Sequence, residues 1–143
     1  AIIKSSEKPI SKIRNFDTEL FKWSFKSYYS EHECWCELNG NDVITNIIHK
    51  LEDYSTQTWS IVKTASGGKG KNGGSNNHFI SASELPKEYK EQYIESKYMR
   101  DYEQVFSLRL TAKKRLIGYV SMGTFYPLWY DNDHLIFPVK HKR

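Results

Sequence analysis

The sequence contains no apolar run of the ~20 residues that a helix needs to cross a bilayer. Its first 14 residues also lack the apolar block of a signal peptide. From these two absences we expect a soluble protein of the cytoplasm that has no membrane partner. At 143 residues the chain has room for one hydrophobic core, so we expect a single domain over 1–143.

Cysteine is scarce, and its two occurrences are Cys34 and Cys36. Because a disulfide stabilises a fold most when it closes a long loop, two cysteines separated by one residue are a poor structural bridge. A zinc site would need two further soft ligands at suitable spacing, and the sequence shows none. We therefore expect reduced thiols, no metal site and no cofactor.

Charge is moderate in total but uneven along the chain. The formal net charge is +4, the isoelectric point is near 8.9, and the acidic residues concentrate between Glu84 and Glu103. A one-sided basic surface arises in this way and binds polyanions such as RNA, whereas scattered, solvated lysines are the alternative. The candidate nucleic-acid-binding residues are Lys69, Lys71, Lys113, Lys114, Lys140, Lys142 and Arg143.

Glycine is also rare outside one segment, since five of the eight glycines lie within 66–77. The Walker phosphate-binding pattern is absent there, because neither Gly-Lys pair is followed by Ser or Thr. We predict a flexible loop over 66–77; the alternative is a loop whose lysines contact RNA. Residues 1–16 are polar and unpatterned, which predicts a loosely docked arm.

Hydrophobic periodicity predicts the remaining elements. Residues 21–28 alternate aromatic with polar, as in a half-buried strand, and apolar residues over 43–54 recur at helical spacing. A capping box formed by Ser81 and Glu84 opens a second helix that runs to about residue 97. Three strands follow over 105–111, 115–121 and 124–130, with Met122-Gly123 as a tight turn and Pro127 at an edge or a bulge. This order predicts an α+β fold, an antiparallel β-meander with helices packed on one face.

Three motifs of the last third carry a resemblance to a known family. They are Phe106-Ser107-Leu108-Arg109-Leu110, Arg115-Leu116-Ile117-Gly118-Tyr119 and Phe125-Tyr126-Pro127-Leu128-Trp129-Tyr130-Asp131. Together with the predicted element order they resemble the RelE/ParE superfamily of bacterial toxins, whose small domain has the order β-α-α-β-β-β. The motifs cover roughly 105–138, and the rest of the chain is similar by element order only.

The resemblance implies a metal-independent RNA endonuclease of a toxin–antitoxin or phage-defence system, with RNA, on the ribosome or free, as substrate and an antitoxin protein as partner. The other branch of the family poisons gyrase. In nuclease members the RNA's own 2′-hydroxyl is the nucleophile. Arg109 matches the arginine of the first meander strand and Arg115 the one that opens the second. The chain departs from the family in its Gly-rich insertion and in carrying Trp129, Tyr130 and His134 where the family has a basic final strand.

Metal-free RNA cleavage needs a base, an acid and cations beside the phosphorane. Histidine supplies the first two near neutral pH, and arginine supplies the third bidentately. The candidate catalytic residues are His134, Arg109, Arg115, Tyr130 and His78, with Tyr119 as a further sheet tyrosine. Even spacing puts Arg115 and Tyr119 on one face of their strand, and Arg109 joins them only if the hairpin register allows.

Each of these residues also has a structural interpretation. Asp131 and His134 fit a turn or two ligands of an incomplete ion site, Arg109 fits an ion pair with the second helix, and Trp129 and Tyr130 fit a core. The alternative function is accordingly a non-catalytic module that binds nucleic acid or a protein through its aromatic sheet. A metal-dependent hydrolase is a third hypothesis.

Overall fold

A computed structural model of the chain describes residues 15–65, 76–95, 102–133 and 136. Five strands form one sheet: β1 (Lys22–Trp23), β2 (His78–Ser81), β3 (Gln104–Arg109), β4 (Arg115–Ser121) and β5 (Thr124–Asp131). The helices are α1, which runs without a break through Gly40–Asp42, Val43–Ile48 and His49–Ser55, then α2 (Trp59–Thr64) and α3 (Lys87–Glu95). Two short 3-10 helices cover Glu33–Glu37 and Ala82–Glu84.

The sheet has the strand order β1-β5-β4-β3-β2. Strands β3, β4 and β5 form the predicted antiparallel meander, so the α+β class and this part of the topology are confirmed. The sheet as a whole is mixed, because β1 pairs with β5 in parallel. The turn between β4 and β5 has positive φ at Met122 (55°) and Gly123 (83°), the backbone that a two-residue hairpin of the predicted type requires.

Two of the strand predictions need correction. The predicted strand over 21–28 is ordered as a strand only at Lys22–Trp23, since the aromatic rings that follow pack with each other instead of entering the sheet. Residues His78–Ser81 form an additional edge strand that is antiparallel to β3. It was not predicted, because polar residues flank this short segment.

The prediction that the helices pack on one face of the sheet is wrong, because both faces are covered. Trp59 of α2 packs edge-on against Phe106 of β3, with ring centroids 5.4 Å apart. On the other face Trp129 of β5 contacts Tyr89 of α3 at 5.1 Å and donates a hydrogen bond to Gln92 (3.0 Å). The central strands carry large apolar side chains on both sides, so a single helical layer would leave one side exposed to water.

Helix α1 begins at a side-chain cap and buries the later part of its predicted apolar stripe, whereas Val43 and Ile44 are exposed. Asn39 precedes it, and its side-chain oxygen accepts a hydrogen bond from the Asp42 N–H (2.8 Å). Ile47, Leu51 and Tyr54 recur at four- and three-residue spacing and are all buried. This stripe packs into the same core as α2.

A β-bulge interrupts the β4–β5 ladder where Pro127 stands, as predicted. The register shifts between Ile117, which is opposite Trp129, and Gly118, which is opposite Pro127. Proline donates no hydrogen bond to a ladder, and the bulge accommodates it inside the sheet. A Cβ at Gly118 would overlap the Tyr126 carbonyl oxygen and come 2.7 Å from Cα of Pro127. The close approach of the two strands therefore requires glycine at 118.

One residue of the predicted arm and one residue of the predicted Gly-rich loop pack into the described fold. Phe16, in the predicted arm, packs against Trp59 with ring centroids 5.0 Å apart. Asn77, in the predicted Gly-rich loop, is fully buried. Residues 1–14 and 66–75 lie outside the described part of the chain. Among the described residues, the structure has no helix that is long and apolar enough to cross a membrane.

Candidate nucleic-acid interface

Two arginines stand directly opposite each other at one end of the sheet. The β3–β4 register pairs Arg109 with Arg115, so both side chains project from the same face. Whether Arg109 lies beside Arg115 depends on the hairpin register, and the observed register places the two arginines side by side. Like charges in directly opposed positions destabilise a sheet, so this pair needs a compensating interaction.

Carbonyl oxygens of the hairpin turn that follows β3 offset part of the positive charge of Arg115. One of its terminal nitrogens contacts the carbonyl oxygens of Thr111 (2.7 Å), Lys114 (3.1 Å) and Ala112 (3.3 Å). The residue is only 9% exposed. Burial lowers the pKa of Arg115 from its ordinary value, the positive charge of Arg109 lowers it further, and Asp131 acts in the opposite direction. Arg115 therefore holds the turn in shape and adds positive charge beneath it.

Arg109 is the more accessible member of the pair. Its Nε donates a long hydrogen bond to the Thr111 carbonyl oxygen (3.3 Å), and its side chain is half-buried. Within the described residues its two terminal nitrogens have neither a hydrogen-bond partner nor an ion pair, so the alternative of an ion pair with α3 is not observed there. These nitrogens remain available to a planar or tetrahedral anion, which a guanidinium binds through two donors.

The backbone of Arg109 is fixed from the opposite face by a buried polar group. Its N–H donates to the side-chain oxygen of Asn77 (2.7 Å), and its carbonyl oxygen accepts from the hydroxyl of Tyr54 (2.7 Å). The Asn77 amide in turn donates to the carbonyl oxygen of Val62 (2.9 Å). Burial raises the pKa of Tyr54, which keeps its hydroxyl protonated as a donor. Helices α1 and α2 therefore hold the strand end that carries Arg109.

Asp131 is the acidic group of this end of the sheet. It lies opposite Arg115 in the β4–β5 register and is 4% exposed. One of its carboxylate oxygens accepts a hydrogen bond from the backbone N–H of Ile136 (2.8 Å). The carboxylate of Asp131 is therefore buried, and it neutralises part of the positive charge of Arg115. The positive charge of Arg109 is left without such a partner among the described residues.

Two lysines extend the positive charge along the hairpin turn. Lys113 is exposed, and its ammonium group has no partner among the described residues. Lys114 donates to the side-chain oxygen of Asn132 (2.9 Å). Residues 109–115 and 131–133 together carry four cationic side chains against two carboxylates. We name the cationic set Arg109, Lys113, Lys114 and Arg115 the hairpin cluster.

His78 is the described histidine that lies near the hairpin cluster. It is exposed on β2 and pairs with Ser107, which is two residues from Arg109 on the same face of β3. The structure thus brings His78 to the same end of the sheet as the arginines.

Neither candidate tyrosine joins them. Tyr130 is 2% exposed and projects from the opposite face, next to Asp131, where its hydroxyl donates to Asn132 (3.0 Å). Burial above all raises the pKa of Tyr130 to about 12. Tyr119 shares a face with Arg115, but it lies about 13 Å further along the strand. There it stacks between Tyr102 and Tyr126, at 4.8 and 4.9 Å.

Several predicted site residues lie outside the described part of the chain. They are Lys69, Lys71, His134, Lys140, Lys142 and Arg143. The described residues that flank the glycine-rich segment meet beside the hairpin cluster: Asn76 donates to the carbonyl oxygen of Ala65 (2.8 Å), next to Asn77. The candidate interface described here consists of the hairpin cluster and His78 alone.

The cysteines and the acidic residues form no second candidate site. Cys34 is buried and accepts a hydrogen bond from the Tyr130 N–H (3.3 Å), and Cys36 is exposed. Both thiols are free, and they lie in the 3-10 helix Glu33–Glu37. Burial raises the pKa of Cys34 to about 11, which suppresses the reactive thiolate at neutral pH. In the described ranges no three His, Cys, Asp or Glu side chains are grouped so that they could hold a metal ion.

Sequence reasoning missed Asn77 and Tyr54 as parts of this site. Asn77 follows a polar, glycine-rich run whose composition is typical of a solvated loop, and Tyr54 belongs to an amphipathic helix in which every buried residue looks like core. The available signal was the asparagine directly before His78-Phe79-Ile80, since a side-chain amide often satisfies the backbone at the end of a strand.

No family model matches the chain, and neither a curated protein nor a solved structure matches it.

Proposed function

We propose that the chain binds RNA through the hairpin cluster, with Arg109 as the principal phosphate ligand. The single observation that supports this proposal most is the directly opposed pair of Arg109 and Arg115. Because no described group neutralises Arg109, its repulsion with Arg115 costs folding free energy, and a phosphodiester beside Arg109 removes that cost. The resemblance of the meander to toxins that act on RNA is the reason for choosing RNA among polyanions.

The two arginines have different roles in this proposal. Arg115 gives its hydrogen bonds to the turn, so it contributes positive charge and the shape of the hairpin. Arg109 and Lys113 offer donors that are free of described partners, and they contact phosphate directly. Phosphate contacts of this type provide affinity without sequence preference, and they weaken as salt increases.

Binding is tested by fluorescence anisotropy of a labelled single-stranded RNA at low salt. Arg109→Gln should weaken binding by about tenfold, because one charge-assisted bidentate contact is lost. Lys22→Gln is the matched control, since Lys22 pairs with Thr124 at the other end of β5 and forms an ion pair with Glu19 (3.5 Å). An equal loss in both variants would mean that only the total charge matters, and the hairpin cluster would then not be the binding site.

Metal-independent cleavage of the bound RNA is the second candidate function. It is favoured by His78, which lies on the same face as Arg109 and two positions from it across the β2–β3 pair. An imidazole there can take the proton of a 2′-hydroxyl while Arg109 stabilises the charge that develops on the phosphorane. This candidate carries over the toxin-type endonuclease expected from the sequence, with RNA on the ribosome or free and an antitoxin as partner.

Cleavage is tested by incubating labelled RNA with the protein in EDTA, with and without ribosomes. Products with 2′,3′-cyclic phosphate ends that disappear in His78→Ala and persist in His49→Ala would support catalysis, because His49 is exposed on α1. Cleavage unchanged in His78→Ala would remove His78 from the reaction. Binding without cleavage would leave a non-catalytic RNA-binding module.

A further inference from the structure

The two edges of the sheet differ in how well they are covered. The segment that leads into β1 is bonded to the start of α2, since Phe21 N–H donates to the carbonyl oxygen of Gln57 (2.9 Å) and Trp59 N–H donates to that of Glu19 (2.9 Å). At the other edge β2 pairs with β3 alone. Within the described residues, β2 therefore leaves one side of its backbone open.

The hydrogen-bond pattern identifies which groups of β2 point outward. Ala82 N–H donates to the carbonyl oxygen of Glu103 (2.8 Å), so this opposed pair is hydrogen-bonded. Bonded and non-bonded pairs alternate along an antiparallel ladder, which makes Ile80 face β3 and turns the backbone groups of Phe79 and Ser81 away from it. The β3–β4 ladder agrees with this assignment. Leu110 N–H donates to the carbonyl oxygen of Lys114 (2.8 Å), so the even-numbered residues of β3 bond β4 and the odd-numbered ones, which include Val105, bond β2.

Among the described residues, these outward backbone groups have no hydrogen-bond partner. Phe79, Ile80 and Ser81 are half-buried, and no described group accepts the N–H of Phe79 or Ser81. A short open edge of this kind is a template on which another strand can pair. None of the four residues of β2 is an Asp, Glu, Lys or Arg, whose charge would oppose such pairing.

We propose that β2 is the interface between two copies of this chain, paired antiparallel about a two-fold axis. In this arrangement Ile80 stands opposite the second copy's Ile80, and Phe79 opposite the second copy's Ser81. A two-fold axis makes one surface complementary to itself, so each bond occurs twice. The pairing joins the two sheets into one continuous sheet of ten strands.

Charged groups close to the two ends of β2, on the neighbouring β3 segment and in the 3-10 helix that follows β2, favour a second copy as the occupant. At the His78 end lies Arg109, whose N–H is bonded by Asn77, and at the Ser81 end lie Glu84 and Glu103. Both glutamates are exposed, and neither has an ion pair within the described residues. Antiparallel pairing brings the basic end of each copy next to the acidic end of the other, whereas parallel pairing would oppose like charges.

Ser81 allows a test that removes the outward N–H and little else. Its φ of −59° and ψ of 134° suit proline, and the strand conformation of Ile80 suits the residue before proline. Ser81→Pro deletes the N–H that the second copy would bond. Ser81→Ala is the matched control, because it deletes the hydroxyl that accepts from Ser83 N–H (3.3 Å) but keeps the outward N–H.

The measurement is sedimentation velocity of the full chain over a concentration series, with circular dichroism to verify that each variant is folded. The wild type and Ser81→Ala should form a dimer with the same dissociation constant. Ser81→Pro should raise that constant about tenfold or more, since two hydrogen bonds are lost per dimer. A wild type that stays monomeric at every concentration would overturn the proposal and leave the edge to a strand of another protein. Unchanged dimerisation of folded Ser81→Pro would overturn it as well, by assigning the dimer to another surface.

Discussion

Arg109 and Arg115 occupy directly opposed positions on β3 and β4, and only one of the two is neutralised within the described fold. Arg115 contacts three carbonyl oxygens of the hairpin turn and faces Asp131, whereas the terminal nitrogens of Arg109 have no described partner. A sheet selected for stability alone would not oppose two arginines. The arrangement is the expected one for a surface that receives an anion.

Replacing Arg109 should therefore raise the free energy of unfolding while it weakens RNA binding. Arg109→Gln removes the like-charge repulsion and should raise the free energy of unfolding by about 0.5 kcal/mol in the absence of RNA. Urea unfolding at low salt measures this change, and it should diminish at high salt as the repulsion is screened. A clear loss of stability would instead mean that Arg109 contributes to the fold through contacts that outweigh the repulsion.

Asn77 should be the polar residue whose loss costs the most stability. It is fully buried and bonds the Arg109 N–H and the Val62 carbonyl oxygen, so Asn77→Ala leaves two buried groups without partners. We expect a loss of about 2–3 kcal/mol in unfolding free energy. Asn41→Ala is the control, because Asn41 is exposed and its side chain has no described bond. Equal effects of the two substitutions would contradict the role given to Asn77.

Glycine is required at 118 and not at 40. A Cβ at Gly118 would overlap the Tyr126 carbonyl oxygen, whereas a Cβ at Gly40 has nothing within 4 Å. Gly118→Ala should lower the free energy of unfolding by about 3 kcal/mol, because the β4–β5 strands must separate at the bulge. Gly40→Ala should leave it unchanged or raise it by up to about 1 kcal/mol. Thermal unfolding of both variants is the measurement, and a well-tolerated alanine at 118 would contradict the close strand approach.

The two cysteines should react at very different rates. Cys36 is exposed, while burial raises the pKa of Cys34 to about 11. At pH 8 iodoacetamide should add one group to the native protein and two to the protein unfolded in urea, as counted by mass spectrometry. The raised pKa of Cys34 stabilises the fold below the ordinary pKa of 9.0, and this contribution is lost as the pH rises towards 11. Equal labelling of both thiols in the native protein at pH 8 would show that Cys34 is accessible.

The meander could be predicted from sequence because its strands alternate regularly and are separated by short turns. Residues 21–28 alternate equally well, yet only Lys22–Trp23 pair in the sheet. The rings of Phe25 and Tyr28 pack edge-on against Trp35 instead, at 6.1 and 5.2 Å. Alternation predicts that every second side chain leaves water. Here Phe25 does so in part within an aromatic cluster, while Tyr28 is exposed and Ser27 is buried.

The site was predictable in its residue types and not in its geometry. Arg109 and Arg115 are evident as charges within apolar strands, but their direct opposition depends on the length of the turn between them. The one sequence signal for Asn77 is its position directly before His78-Phe79-Ile80, because its polar, glycine-rich neighbours are equally typical of a solvated loop. Tyr130 is a candidate from sequence as a tyrosine on the sheet, but the pleat directs its side chain to the face opposite the arginines.

The salt dependence of RNA binding tests the central claim most directly. The logarithm of the binding constant for a single-stranded RNA falls linearly with the logarithm of salt concentration, with a slope of about −0.7 for each phosphate contact. Arg109→Gln should reduce the magnitude of that slope by about 0.7, and Lys22→Gln should leave it unchanged. A slope that is the same in wild type and Arg109→Gln would contradict the assignment of the hairpin cluster as the phosphate-binding surface.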